Sequence, residues 1–190
     1  MAKDIYIEKD FEKDFPFENV CSDKEFSDCK FININFTDFD LSGSSFVNCK
    51  FDDCNFSNTV VNNCGFKGVV FNRCKFIGIL FSKINTFLHS WEFNRCKLQL
   101  CMFEDIDIKN SKFLQCKIFE CSFNKVILKD SVFTGSDLKD TTFERCDLRN
   151  NDFRDSKNYY FDISDNRVKG AKFSQPEVLS LLEKFEVEIE

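Results

Sequence analysis

Twelve apolar residues fall at strict five-residue spacing in this chain: Phe26, Phe31, Phe36, Leu41, Phe46, Phe51, Phe56, Val61, Phe66, Phe71, Phe76 and Phe81. An α-helix returns a side chain to one face about every 3.6 residues and a strand about every 2.0. Neither holds a five-residue series on one side, so the chain must turn after every pentad. The residue two before each centre is small or apolar, as in Cys29, Ile34, Ser44, Cys49 and Thr59, and points the same way along an extended segment. The residue two after it, from Asp28 to Gly78, is Asp, Asn or Gly in all cases but Arg73. Those residues tolerate turn conformations, including positive φ. Each pentad therefore reads as a short extended face with two inward side chains, then a corner.

The chain of 190 residues is 43% hydrophobic, enough for one domain or one repeat array with a core. Its net charge of −6 disfavours direct binding of nucleic acid. The N-terminus interleaves charge with apolar residues, unlike a signal peptide, and no apolar run approaches the roughly 20 residues that span a bilayer. Ten of the 11 cysteines sit two residues before a centre, Cys21 being the exception, and there is no CxxC. Metal and disulfide frameworks use other spacings, so cysteine here reads as a small, reduced, buried residue. A cytoplasmic location is expected, with no structural disulfide, no metal and no cofactor.

The stretches NCKFDDCNFSN and GSDLKDTTFERCDLRNNDF carry a small residue, Asp or Asn, then Leu or Phe, then two polar residues. In this the chain resembles the pentapeptide-repeat proteins over about residues 24–173. The resemblance implies an all-β solenoid, a right-handed quadrilateral β-helix with four pentads per coil, here with Cys often in place of the family's usual Ala. The centres from Phe93 to Phe153 alternate Phe with aliphatic residues. In a square coil, alternate centres occupy opposite sides, so like side chains stack at the strand spacing of about 4.8 Å. A core stack of Phe31, Phe51, Phe71, Phe113, Phe133 and Phe153 is expected, with no internal cavity for a substrate.

The chain then divides into an N-terminal cap (1–25), a first run of coils (26–81), a register break (82–92), a second run (93–173) and a C-terminal helix with a short strand (174–190). From Phe81 to Phe93 twelve residues occupy the place of ten, so the register slips by two. Asn85, Thr86, Phe87, Leu88 and His89 are the candidate partner-contact loop, and Trp91 reads as the plug of an irregular coil. Asn158 is a poor core centre, so the last coil should rearrange near Tyr159 and Tyr160. At the C-terminus, Ser174 and Glu177 have capping-box spacing. Val178, Leu179, Leu181, Leu182 and Phe185 form an apolar stripe that either caps the rod or joins two chains.

No catalytic constellation is recognisable: there is one His, no Gly-rich phosphate loop and no HExxH. The protein is expected not to be an enzyme. Outward charges repeat every twenty residues, so Lys109, Lys129, Arg149 and Lys169 should form a basic ladder. Residues 26–81 carry five acids and five bases and residues 93–153 ten of each, so the −6 comes mainly from the termini.

The GSDL-type repeat, the degenerate last coil and the ending LLEKFEVEI are similar to the quinolone-resistance (Qnr-like) branch of the family. That resemblance implies a homodimer joined through the C-terminal helices, imitating duplex DNA. The implied partner is DNA gyrase or topoisomerase IV, shielded from fluoroquinolones, with no direct contact to nucleic acid or membrane. The neutral rod keeps a second reading open, a structural or scaffolding solenoid with an unknown protein partner.

Overall fold

The computed structural model describes residues 4–12, 16–17, 20–85 and 90–188. Successive coils stack in parallel and in register, each centre lying on the centre twenty residues away. Four sheets form the four sides of the solenoid, named here by one centre each. The Phe26 face begins with Asp4–Ile7 paired to Lys24–Ser27, and the Phe31 face with Asp10–Phe11 paired to Lys30–Ile32. Residues 4–11 thus already lie in a coil. On the Phe36 face Lys75–Ile77, Lys97–Gln99 and Lys117–Phe119 pair in turn, and on the Leu41 face Met102–Glu104, Ser122–Asn124 and Thr142–Glu144 do so.

Strands this short suffice because backbone groups are satisfied between coils. The residue before a centre donates to the coil below, as Lys50 N–H does to the Cys29 carbonyl at 2.9 Å. The corner N–H donates to the coil above, as Asp28 N–H does to the Val47 carbonyl at 2.9 Å. Corner residues are left-handed whatever their type: φ is 56° at Asp28, 53° at Arg73 and 54° at Leu100.

The core is two kinds of column. On the Phe31 face, Phe11, Phe31, Phe51, Phe71, Phe93, Phe113, Phe133, Phe153 and Phe173 stack with ring centroids between 4.6 and 5.4 Å apart. At about 4.8 Å per coil this column spans roughly 38 Å. On the opposite side Phe81, Phe103, Phe123 and Phe143 stack likewise, and the two columns meet edge to face, Phe113 against Phe123 at 6.3 Å and 89°. Such pairs add about 0.5–1.5 kcal/mol beyond buried area. The remaining two sides of the upper half are aliphatic, with Leu98, Ile118 and Leu138 on one and Ile108, Leu128 and Leu148 on the other, all fully buried.

All eleven cysteines are free and buried, and most do more than fill space. The inward position two before each centre aims a donor at the carbonyl of a centre in the coil below. Cys49 Sγ reaches Phe26 O (3.5 Å), Cys74 reaches Phe51 O (3.3 Å) and Cys116 reaches Phe93 O (3.3 Å). Thr59, Ser136 and Thr141 make the same contact through hydroxyls at 2.8 Å. Cys21, off that position in the sequence, is itself a centre: it is buried beneath Leu41, and its N–H donates to Asp40 O at 2.9 Å.

At the break, the pairing of Glu92 with Val70 and of Phe93 with Phe71 spans 22 residues instead of 20. Asn85 N–H still bonds Cys64 O at 3.0 Å, so the twenty-residue register holds as far as Asn85. Trp91 turns inward against Phe66, Phe81 and Phe93, and its indole N–H donates to Phe66 O at 3.0 Å. It makes the bond that a cysteine or hydroxyl makes elsewhere, two residues later in the count. In the last coil Asn158 is exposed and left-handed, and Tyr159 and Phe161 fill the core instead.

The C-terminal helix is present over Glu177–Phe185 as a 3₁₀ helix, not an α-helix. The capping box does not form. Ser174 Oγ instead accepts from Asp155 N–H at 3.2 Å and Glu177 Oε1 accepts from Asn158 N–H, so both serve the open edge of the last coil. The strand expected near the end is not formed by residues 186–188: Glu186 is left-handed (φ 51°) and all three are exposed.

Candidate interaction surfaces

With the interior filled by stacked rings, chemistry is confined to the outer surface. Of the expected loop, Asn85 is exposed, and residues 86–89 lie outside the described part of the chain. Next to it the Leu41 face exposes a short apolar row, Val60 below Leu80 below Met102, with Leu100 at the neighbouring corner; these are 41–53% exposed.

The C-terminal helix splits the expected stripe in two. At three residues per turn, positions three apart eclipse. Leu181 is buried on the chain's own core and Val178 packs against it, whereas Leu179 and Phe185 face outward and Leu182 is half-buried. The helix is further tied to the rod by Ser180 Oγ donating to Tyr159 O at 2.7 Å and by Lys184 paired with Asp162, whose carboxyl that contact lowers to about 2.

The ladder Lys109, Lys129, Arg149 and Lys169 is stacked, as the bonds from Asn110, Asp130 and Asn150 N–H to Lys129, Arg149 and Lys169 carbonyls show. Its charge is largely cancelled locally. Lys109 pairs with Asp107 at 3.1 Å, Lys129 with Asp130 at 3.5 Å and Arg149 with Asp147 at 2.5 Å. Arg149 holds the Asp147 carboxyl below its ordinary range, with Arg167 adding at 3.2 Å. Like charges on neighbouring rungs would otherwise repel.

Two other charge groupings keep their sign. On the Leu41 side, Glu104 and Glu144 stack on either side of Asn124, whose amide donates to Glu104 at 3.4 Å. Corner acids Asp105, Glu120 and Asp140 flank them, and among the described residues none of these three, nor Glu104, has a lysine or arginine within 4.0 Å. Glu144 touches Arg145 at 3.9 Å, and Lys125 and Arg145 interrupt the corner above Asp105. Around the far corner, Lys75, Lys97 and Lys117 stack in register beside Arg73 and Arg95. That second basic ladder was not among the sequence expectations. No helix of the described residues is long and apolar enough to cross a membrane, and no group of three or more His, Cys, Asp or Glu is placed to hold a metal among them.

Among curated proteins, none matches the chain in sequence. Solved structures similar to it include a trypsin-treated form of QnrB1, a plasmid-mediated fluoroquinolone resistance protein, at 17% identity, covering 99% of this chain and 98% of that one with a TM-score of 0.48. HetL, a pentapeptide repeat protein involved in heterocyst differentiation regulation from Nostoc sp. strain PCC 7120, is 11% identical over 77% of this chain and 84% of its own, with a TM-score of 0.33. Identities this low carry nothing about partners. The model of the pentapeptide repeat region matches residues 24–103 and 106–181. With most of its length matched by that model, the chain belongs to the pentapeptide-repeat family.

Proposed function

We propose that this rod is a non-catalytic binding module that presents a DNA-like acidic side to DNA gyrase or topoisomerase IV and protects that enzyme from fluoroquinolones. The observation that carries this reading is the acidic side itself. Glu104 in its column, with Asp105, Glu120 and Asp140 at the edges, has no basic partner within 4.0 Å among the described residues, nor have those three, and Glu144 continues the column beside Arg145 on a rigid repeat of about 4.8 Å. A surface that binds duplex DNA is basic, and fixed carboxylates on a rod are its electrostatic complement. Pairing of two chains through Leu179, Leu182 and Phe185 would double the length of that side.

A second reading, a scaffolding solenoid with a different protein partner, is favoured by the ion pairing of Lys109, Lys129 and Arg149, which offsets most of the charge of that ladder. Gyrase supercoiling in the presence of ciprofloxacin separates the two. The expected result is a dose-dependent restoration of supercoiling by the protein, weakened by Glu104→Lys with Glu144→Lys. No rescue at any protein concentration eliminates the first reading and leaves the scaffold.

A further inference from the structure

The second basic surface lies on the corner between the Phe31 and Phe36 faces. Lys75 pairs in register with Lys97 and Lys97 with Lys117, so three ammonium stems stand on consecutive coils over about 10 Å. Two residues before Lys75 and Lys97, Arg73 and Arg95 occupy the adjoining corner, both left-handed with φ 53°. They line an open groove of about 480 Å³ together with Asn72, Asn94, Leu114 and Gln115.

Counter-charge is scarce here. Arg73 is held by Asp53 through two bonds of 2.8 and 2.7 Å. Arg95 has only the neutral Gln115 Oε1, which its Nε reaches at 3.0 Å. Among the described residues no carboxylate lies within 4.0 Å of Arg95, Lys75, Lys97 or Lys117. Four uncompensated cations on neighbouring rungs repel one another, and an anion lying across them removes that repulsion.

We propose that this surface docks an acidic segment of a partner protein, its carboxylates seated on Arg95 and along Lys75, Lys97 and Lys117. The Nη edge of Arg95 suits a carboxylate in two-point contact. In an extended segment, alternate side chains recur at about 6.6–6.8 Å, so two or three carboxylates span the ladder. The patch ends in acids: Asp52 and Asp53 below, and Asp137 above Lys117, where it pairs with Lys157 at 3.6 Å. A duplex, with one charge per roughly 1.7 Å of axis, would run past the patch onto those acids, whereas a short acidic segment does not. This site is separate from the acidic side and does not depend on the gyrase reading.

The test is fluorescence anisotropy of a labelled octaglutamate peptide with the full chain in about 50 mM salt, beside a labelled 20-base-pair duplex. Octaglutamate should bind, and Arg95→Glu with Lys97→Glu should weaken it about tenfold or more. Lys129→Glu, on the ion-paired ladder, should change it little. Unaltered circular dichroism and melting of each variant keep the comparison on the surface. Absence of octaglutamate binding, an equal loss with Lys129→Glu, or tighter binding of the duplex would each overturn the proposal.

Discussion

At the scale of single residues, the corners show how far the ladder overrides local preference. Asp, Asn and Gly dominate the lower corners, and that pattern is legible in the sequence. The upper corners hold Leu100, Gln115, Glu120, Lys125 and Arg145, all left-handed at φ between 51° and 55°. The left-handed region costs an ordinary L-residue about 1–2 kcal/mol, and it persists because hydrogen bonds to the coils on both sides fix the backbone. Leu100 is 53% exposed and gains little from burial. Leu100→Asn should therefore stabilise the chain by about 0.5 kcal/mol or more, read as a higher urea midpoint with unchanged slope; an equal or lower midpoint would contradict the strain. Trp91 is the counterpart inside the core. Its place two before Phe93 marked it as inward-facing, but its donor bond to Phe66 O appears only when the displaced coil is built.

At the scale of elements, the C-terminal helix was legible in position and not in type. Its apolar residues announce a buried side, yet the sequence does not say how many faces they form. The three-residue period divides them, sending Leu181 and Val178 to the rod and Leu179 and Phe185 to solvent. If two chains join through the outer row, Leu179→Asp with Phe185→Asp should give a monomer in sedimentation while leaving the helix docked, because neither side chain is part of the chain's own core. An unchanged mass would eliminate this interface. Ser174 and Glu177 could not be read correctly from spacing, since their partners, the N–H groups of Asp155 and Asn158, are nineteen residues away.

At the scale of the whole molecule, the buried thiols set a limit at alkaline pH. Burial pushes Cys21 and Cys49 up to about 12 and Cys146 up to about 11, against an ordinary 9.0. Once pH passes about 9 the unfolded chain loses these protons while the folded chain keeps them, so the unfolded state binds fewer protons and stability falls as pH rises. The contribution is full below about pH 9 and disappears progressively towards about 12. The urea midpoint should drop steeply above about pH 9, and less steeply in a Cys49→Ser, Cys146→Ser variant. Identical pH profiles for the two proteins would refute the thiol origin.

The five-residue rhythm by itself determined that the chain turns after every pentad and that the Phe, aliphatic and cysteine side chains point inward, because a strict repeat buries the same two positions in every five; the four-sided coil came with the resemblance to the pentapeptide-repeat proteins. The distribution of net charge was decided only in three dimensions. Counting by twenty revealed Lys109, Lys129, Arg149 and Lys169, the first three of which pair with neighbouring acids. It concealed Lys75, Lys97 and Lys117, because the two-residue slip at 82–92 makes the first step 22 and a strict count from Lys75 lands on Arg95. Contacts between coils depend on register, and register past the slip is fixed by the packing of Trp91 and Phe93 on the coil below.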